Sequence, residues 1–135
     1  MSSIKVAGPV DIAVSGLKAQ ALRMNVIATN IANASTSRTP SGQPYRRQEV
    51  LVRSTGAGLA GVVVGQVVPD TQTDFKRVLQ PGHPDADPGG YVRMPNVDLP
   101  VEMMSLVTAS RAYQANAAVL KRFQDHVDTT LELLR

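Results

Sequence analysis

The sequence predicts a mainly α protein with a small β module: long N- and C-terminal helices paired as an antiparallel coiled coil, with a β-hairpin-containing insert between them. Three observations lead there. Two stretches, one near each end of the 135-residue chain, carry apolar residues in alternating steps of four and three, the repeat that puts a ridge on one face of a helix and demands a facing helix to receive it. Between them lie two β-branched runs set among Gly-, Pro- and Ser-rich segments, which a helix does not tolerate. Only five side chains are aromatic, too few to fill a large core from the middle of the chain, so burial has to come from helix pairing. The chain thus divides into a tail and first helix over 1–35, an insert over 36–98 and a second helix over 99–135.

Residues 1–8 are short, polar and unpatterned and read as a tail. The first helix then follows Val10, Val14, Leu17, Ala21, Met24, Ala28 and Ile31, with Pro9 in the first turn, where a missing N–H costs nothing. Gly16 weakens this helix by about 1 kcal/mol relative to Ala, so it depends on packing. Ala21 and Ala28, set against Ala117 of the second helix, would let two backbones approach closely. The helical pattern fades through Asn30 and Asn33 into a run of Ser, Thr, Gly and Pro that ends at Pro44, where short side chains bond the local backbone. Tyr45–Arg53 and Gly61–Val68 read as two strands of a hairpin through Ser54–Ala60. Residues 81–90, PGHPDADPGG, are a turn-rich loop, and Tyr91–Met94 is a short strand leading into the last helix.

That helix carries Leu99, Met103, Leu106, Ser110, Tyr113, Ala117, Leu120, Gln124, Val127, Leu131 and Leu134 at seam spacing, with no Gly or Pro interrupting it after Pro100. Asp98 is its N-cap, and Pro100 fits its first turn. At 1.5 Å per residue it is about 54 Å long against about 37 Å for the first helix, so roughly 17 Å of its seam lacks an internal partner. Val127, Leu131 and Leu134 fall in that unmatched part, and an exposed apolar stripe marks an interaction surface.

Little in the chain points to catalysis. His83 with Asp85 and Asp87 is the sharpest candidate for a metal site or an acid–base pair, but no second His lies nearby, and Asp in such a loop caps turns. Ser110, Tyr113 and Lys121 have a spacing that suggests a nucleophile and base, yet Ser110 and Tyr113 occupy seam positions, where packing and register explain them, as register explains Gln124. The glycines at 56, 58 and 61 precede a β-branched run rather than a helix, which excludes a phosphate loop. Absence of Cys rules out a disulfide framework and a thiolate site. The net charge of +3 is spread over scattered pairs, Arg46/Arg47, Lys76/Arg77 and Lys121/Arg122, which argues against nucleic-acid binding. The N-terminus lacks the pattern of a Sec-type signal, and no run of 18 apolar residues exists, so no membrane insertion is expected.

Three stretches carry a family resemblance. Ser15–Ala34, SGLKAQALRMNVIATNIANA, with Asn30 and Asn33, is similar to the N-terminal motif shared by bacterial flagellar rod and hook proteins; Thr29 stands where that family more usually has Asn. Ser110–Asn116, SRAYQAN, with Arg111, Tyr113 and Asn116, is similar to its C-terminal helix motif. Pro81–Val97, PGHPDADPGGYVRMPNV, containing Pro81, Gly82, His83, Pro84, Asp85, Tyr91, Pro95 and Asn96, is most like the proximal rod members. The resemblance implies a structural subunit without enzymatic activity, catalytic residues, metal or cofactor. Its partners would be other flagellar rod proteins and copies of itself, polymerised into a helical shaft that crosses the periplasm and transmits torque. Export would be through the flagellar type III apparatus, which accounts for a missing Sec signal, and the location would be the flagellar basal body. Assembly would run through both helix seams, and another axial protein of rod or hook type is the alternative.

Overall fold

The computed structural model of the chain describes residues 8–54 and 61–135. The tail expected over 1–8 lies outside these residues except for Gly8, as does the hairpin tip over 55–60. In chain order the elements are α1 (Pro9–Ala32), β1 (Gln48–Ser54), β2 (Val62–Pro69), β3 (Lys76–Leu79), β4 (Tyr91–Met94) and α2 (Leu99–Leu133). The architecture is two long helices with two small antiparallel sheets between them in sequence.

Both helices start where local chemistry favours it. The Gly8 amide donates to the Asp11 carboxylate at 3.1 Å, which puts negative charge at the N-terminus of α1, and Pro9 sits in the first turn. The Asp98 carboxylate caps α2 by accepting the Val101 amide. α1 ends as Asn33 folds its side-chain amide back to donate to the Thr29 carbonyl at 2.9 Å.

β1 pairs with β2 antiparallel, from Gln48 opposite Pro69 to Ser54 opposite Val62, with a bulge at Leu51/Val52. The strand begins at Gln48 rather than Tyr45 because the residues before it bond elsewhere: the Tyr45 amide donates to the Thr36 carbonyl and the Arg47 amide to Asn96. β3, which no strand pattern in the sequence announces, pairs with β4 from Lys76 opposite Met94 to Leu79 opposite Tyr91. Two cations in its four residues, all exposed, give it no alternation to read. The loop 81–90 joins these two strands.

α1 packs on α2 and on both strands of the first hairpin. Asn30 bonds to Glu102, Gly16 lies against Asn116, and Pro9 and Val10 share an apolar pocket with Val119, Leu120 and Phe123. The C-terminal end of α1 therefore lies at the N-terminal end of α2. Beyond Leu120 every residue of α2 is exposed.

The facing rows differ from those expected by one residue. In α1 the buried positions are Ala13, Ala19, Ile27 and Asn30, whereas Ala28 is exposed and Val10, Val14, Leu17, Ala21, Met24 and Ile31 are half-buried. In α2 Glu102 and Ala109 are buried; Leu106, Ser110, Ala117 and Leu120 are half-buried; Leu99, Met103 and Tyr113 are exposed. At Gly16 the helices meet closely, since an added Cβ would lie 2.8 Å from the Asn116 side-chain amide, whereas Ala28, expected to face Ala117, is exposed. The reason is chemical. The rows that face each other contain Gly16, Asn30, Glu102 and Asn116, which count against a seam judged by apolarity alone.

Ser15 fixes the other side of α1. Its hydroxyl donates to the Ile12 carbonyl at 2.7 Å and accepts the Val62 amide at 3.0 Å, and a Cβ on Gly61 would fall 2.5 Å from that hydroxyl oxygen. Gly61→Ala is therefore expected to destabilise the fold by about 1–3 kcal/mol through overpacking. Adding Ser15→Ala should recover part of that loss, a coupling that urea unfolding of the two single variants and the double variant would read out.

Candidate functional site

The most connected part of the molecule is polar. The Asn30 side chain is fully buried, and its amide uses its whole hydrogen-bonding capacity. Its Nδ2 donates to the Gln48 carbonyl at 3.0 Å and to Glu102 Oε2 at 3.1 Å. Its Oδ1 accepts from the Tyr45 hydroxyl at 2.8 Å and from the Gln48 amide at 2.9 Å. Two donors and two acceptor sites is all that an amide possesses. The orientation is not free to flip, because the Gln48 N–H can only donate and its carbonyl only accept.

Glu102 is equally buried and accepts from Arg47 Nε through its other oxygen; Arg47 also bonds Glu49. A buried carboxylate is tolerated when it is paired and hydrogen-bonded. Burial works against the Arg47 charge, but the bonds to Glu102 and Glu49 outweigh it and leave its pKa above the ordinary value. Burial, then the nearby Glu102 carboxylate, pushes the Tyr45 hydroxyl up. The network continues outward: the Arg47 amide donates to Asn96 Oδ1 at 2.8 Å, and Asn96 Nδ2 donates to the Asp70 and Thr73 carbonyls at 3.2 and 3.1 Å. Arg46 bonds the same Asp70 carbonyl and lies 4.2 Å over the Phe75 ring, with Arg93 at 5.0 Å, a favourable cation–π arrangement. One continuous set of bonds thus joins α1, β1, the segment after β2, the segment after β4, and α2.

The 81–90 loop is tied separately. Asp85 accepts from the Ser37 hydroxyl at 2.8 Å and from Arg38, and its amide donates to His83 Nδ1 at 3.1 Å. Asp87 accepts from the Gly89 and Tyr91 amides and from Arg77, which stacks on the Tyr91 ring. Those bonds, the Tyr91 amide first, hold the Asp87 carboxyl below its ordinary range. His83, Asp85 and Asp87 therefore each serve the loop's own geometry. Gly90, at φ +81°, makes the turn back into β4. Pro81, Gly82 and Pro84 are exposed, whereas Pro95 and Asn96, directly after β4, are buried.

Of the other motif residues, Asn33 caps α1, Asn116 meets Gly16 and Arg111 is exposed. Val127, Leu131 and Leu134 are all exposed. Thr29, the departure from the family pattern, is exposed and its hydroxyl donates to the Asn25 carbonyl, so it disturbs no buried contact. Sequence reasoning missed Tyr45, Arg47, Gln48 and Glu102. The one trace of them was a carboxylate within the apolar first turns of α2 and an Arg pair ahead of a strand.

With this geometry in hand, similarity to known proteins decides the family. Residues 11–38, α1 with the turn after it, match the family described as Flagella basal body rod protein. Residues 89–133, β4 and α2, match Flagellar basal body rod FlgEFG protein C-terminal. The chain is 47% identical over 126 residues to the flagellar basal-body rod protein FlgC of Yersinia enterocolitica, covering 91% of this chain and 93% of that one. It is 46% identical to the FlgC of Escherichia coli O157:H7 and 45% to that of Salmonella typhimurium, with the same coverage. The chain belongs to the flagellar basal-body rod protein FlgC family. Its role is that of a structural rod subunit in the flagellar basal body. Among the described residues no helix is long and apolar enough to cross a membrane. Within this FlgC-family chain, Asn30, Asn96 and Glu102 lie inside the two matched segments, and Tyr45, Arg47 and Gln48 lie between them.

Two predictions follow from these bonds. Asn30→Asp keeps the shape but sets a second carboxylate against Glu102 and the Gln48 carbonyl; it should cost about 3–5 kcal/mol, the range for a broken buried charge arrangement. Adding Glu102→Gln, whose amide donates to Asp at position 30, should recover part of it, as measured by urea unfolding. For Asp87 the sign is set by a folded pKa below the unfolded one, so its stabilisation is complete above the ordinary carboxylate range and is lost as pH falls through the lowered value. The Gly89 and Tyr91 amide resonances should hold constant down to that range on acid titration and shift only below it.

Proposed function

We propose that this FlgC-family subunit builds the proximal rod, the helical shaft that crosses the periplasm and transmits torque, together with other rod proteins and copies of itself. In this reading α1 and α2 form an antiparallel coiled coil, residues 1–35 and 99–135 make up the rod domain, and 36–98 is an insert locked to one end of it. Passage through the flagellar type III apparatus as an unfolded chain fits the same reading.

The observation that carries it is the unpartnered end of α2. Leu131 is 59% exposed and Leu134 79% exposed, and no part of α1 reaches them. Apolar residues held at seam spacing beyond the end of the internal partner require an external one. The rotated helix interface adds support. Because small and polar residues meet between α1 and α2, the rows Val10–Ile31 and Leu99–Leu120 are turned partly outward, toward neighbouring subunits.

The double change Leu131→Ala and Leu134→Ala should leave the unfolding midpoint of the isolated subunit nearly unchanged, since truncating an exposed Leu costs little. It should abolish rod assembly and motility while export continues. Ala109→Leu, by contrast, enlarges a residue 1% exposed between the helices and should harm the subunit itself by about 1–3 kcal/mol. Normal swimming of the double Ala variant, with intact basal bodies under electron microscopy, would remove the terminal seam from the assembly surface.

A further inference from the structure

β3 and β4 set two cations against each other. Arg77 lies directly opposite Arg93 in the antiparallel register, so both side chains rise from the same face of the sheet, with Cβ atoms about 5 Å apart. Like charges in that position are destabilising. A third guanidinium comes from the segment after α1, where Arg38 meets Asp85 of the 81–90 loop. Arg38, Arg77, Asp85, Asp87, Tyr91 and Arg93 line one open hollow of about 600 Å³.

Donors in this hollow outnumber acceptors. Asp85 receives the Ser37 hydroxyl on one oxygen and Arg38 on the other. Asp87 receives the Gly89 and Tyr91 amides on one oxygen and Arg77 on the other, so each carboxylate oxygen already has a partner. A guanidinium carries five N–H groups. Arg38 and Arg77 each spend one nitrogen on these bonds, while their side chains stay 70% and 62% exposed. Arg93 is exposed and makes no ion pair among the described residues; the Phe75 ring, 5.0 Å from its guanidinium, leaves its charge in place. Three cations against two carboxylates leave the hollow net positive.

We infer that this hollow is a binding site for a small polyvalent oxyanion, a molecule carrying two or more carboxylate or phosphate groups. Arginine forks hold such groups through paired N–H bonds, and one group set between Arg77 and Arg93 removes the repulsion across the strands. A second group on the same molecule reaches Arg38 on the far side, which a monovalent ion cannot do at once. The volume suits a small ligand. Bound there, the ligand ties the segment after α1 to the β3–β4 sheet. The site is separate from both helix seams, and it stands or falls independently of the rod-subunit reading.

The purified full chain, titrated at neutral pH with citrate in one series and inorganic phosphate in another, tests this, with sodium chloride at equal ionic strength as reference. Saturable shifts of the Arg38, Arg77, Tyr91 and Arg93 amide resonances are expected, together with a raised unfolding temperature, since a ligand that binds the folded state alone stabilises it. Saturation by citrate only assigns carboxylate groups to the ligand, saturation by phosphate only assigns phosphate groups, and either supports the site. Arg93→Gln should weaken binding at least about tenfold, the loss for one charge-assisted hydrogen bond. Without anion the same variant should unfold no earlier than the unsubstituted chain, because the cross-strand repulsion is gone. Arg111→Gln, exposed on α2, should bind as the unsubstituted chain does. Shifts that match those with sodium chloride, or that persist undiminished in Arg93→Gln, overturn the site and leave the rod assignment standing. If Arg93→Gln unfolds early, Arg38→Gln, across the hollow, is held to the same tenfold criterion.

Discussion

The structure depends on one amide. Asn30 sits at the point where the end of α1, the start of β1 and the first turn of α2 converge, and each of its four hydrogen-bonding sites meets a different chemical demand. A side chain with fewer sites would leave a buried backbone group or a buried carboxylate unsatisfied, at a cost of about 1–3 kcal/mol for each neutral group and more for a charge. Glu102 and Arg47 extend the same logic. A buried charge pair contributes little net stability against an apolar alternative, but it permits few arrangements. The helix pair is thereby tied at one end, in a single register, to the insert.

That register has a consequence for the surfaces. A coiled coil in which the apolar rows face inward would present polar flanks to its neighbours. Here Gly16, Asn30, Glu102 and Asn116 take inward positions beside Ala13, Ile27 and Ala109, and the apolar rows are left half-buried or exposed. For a lone soluble protein this would be a liability, because exposed apolar area of this extent invites association. For a rod subunit, association is the function. The polar bonds between α1 and α2 supply specificity within the subunit.

The insert is secured by short local devices rather than by a core. Asp85 and Asp87 each gather neighbouring donors, Arg77 stacks on Tyr91, and two guanidinium groups, Arg46 and Arg93, lie near the Phe75 ring. Val92 and Val97 provide most of the buried apolar material there. The Pro81–Val97 stretch that most resembles proximal rod proteins is thus a folded loop and strand whose polar residues hold its own shape and anchor it to Ser37 and Arg38 just after α1. His83, the best catalytic candidate from the sequence, accepts an amide within that loop.

Most elements were legible in the sequence because they rest on local rules: four-three apolar spacing for the helices, Asp98 and the prolines for their starts, β-branched runs for β1 and β2, and Pro and Gly for the 81–90 loop. The unmatched length of α2 was legible for the same reason, since rise per residue does not depend on context. Three things were decided only by the tertiary structure. β3 exists because β4 offers it a partner, although Lys76–Leu79 carries no strand pattern of its own. The facing rows of the helices are shifted by one residue because Asn30 and Glu102 satisfy each other across 72 positions of sequence, and no local pattern reveals that a buried polar group has found its partner. Arg47 and Tyr45 join that site for the same reason. Apolar periodicity can be read along a chain because water acts on every residue alike, whereas a hydrogen-bond network is a matter of which groups meet, and that is settled only when the chain has folded.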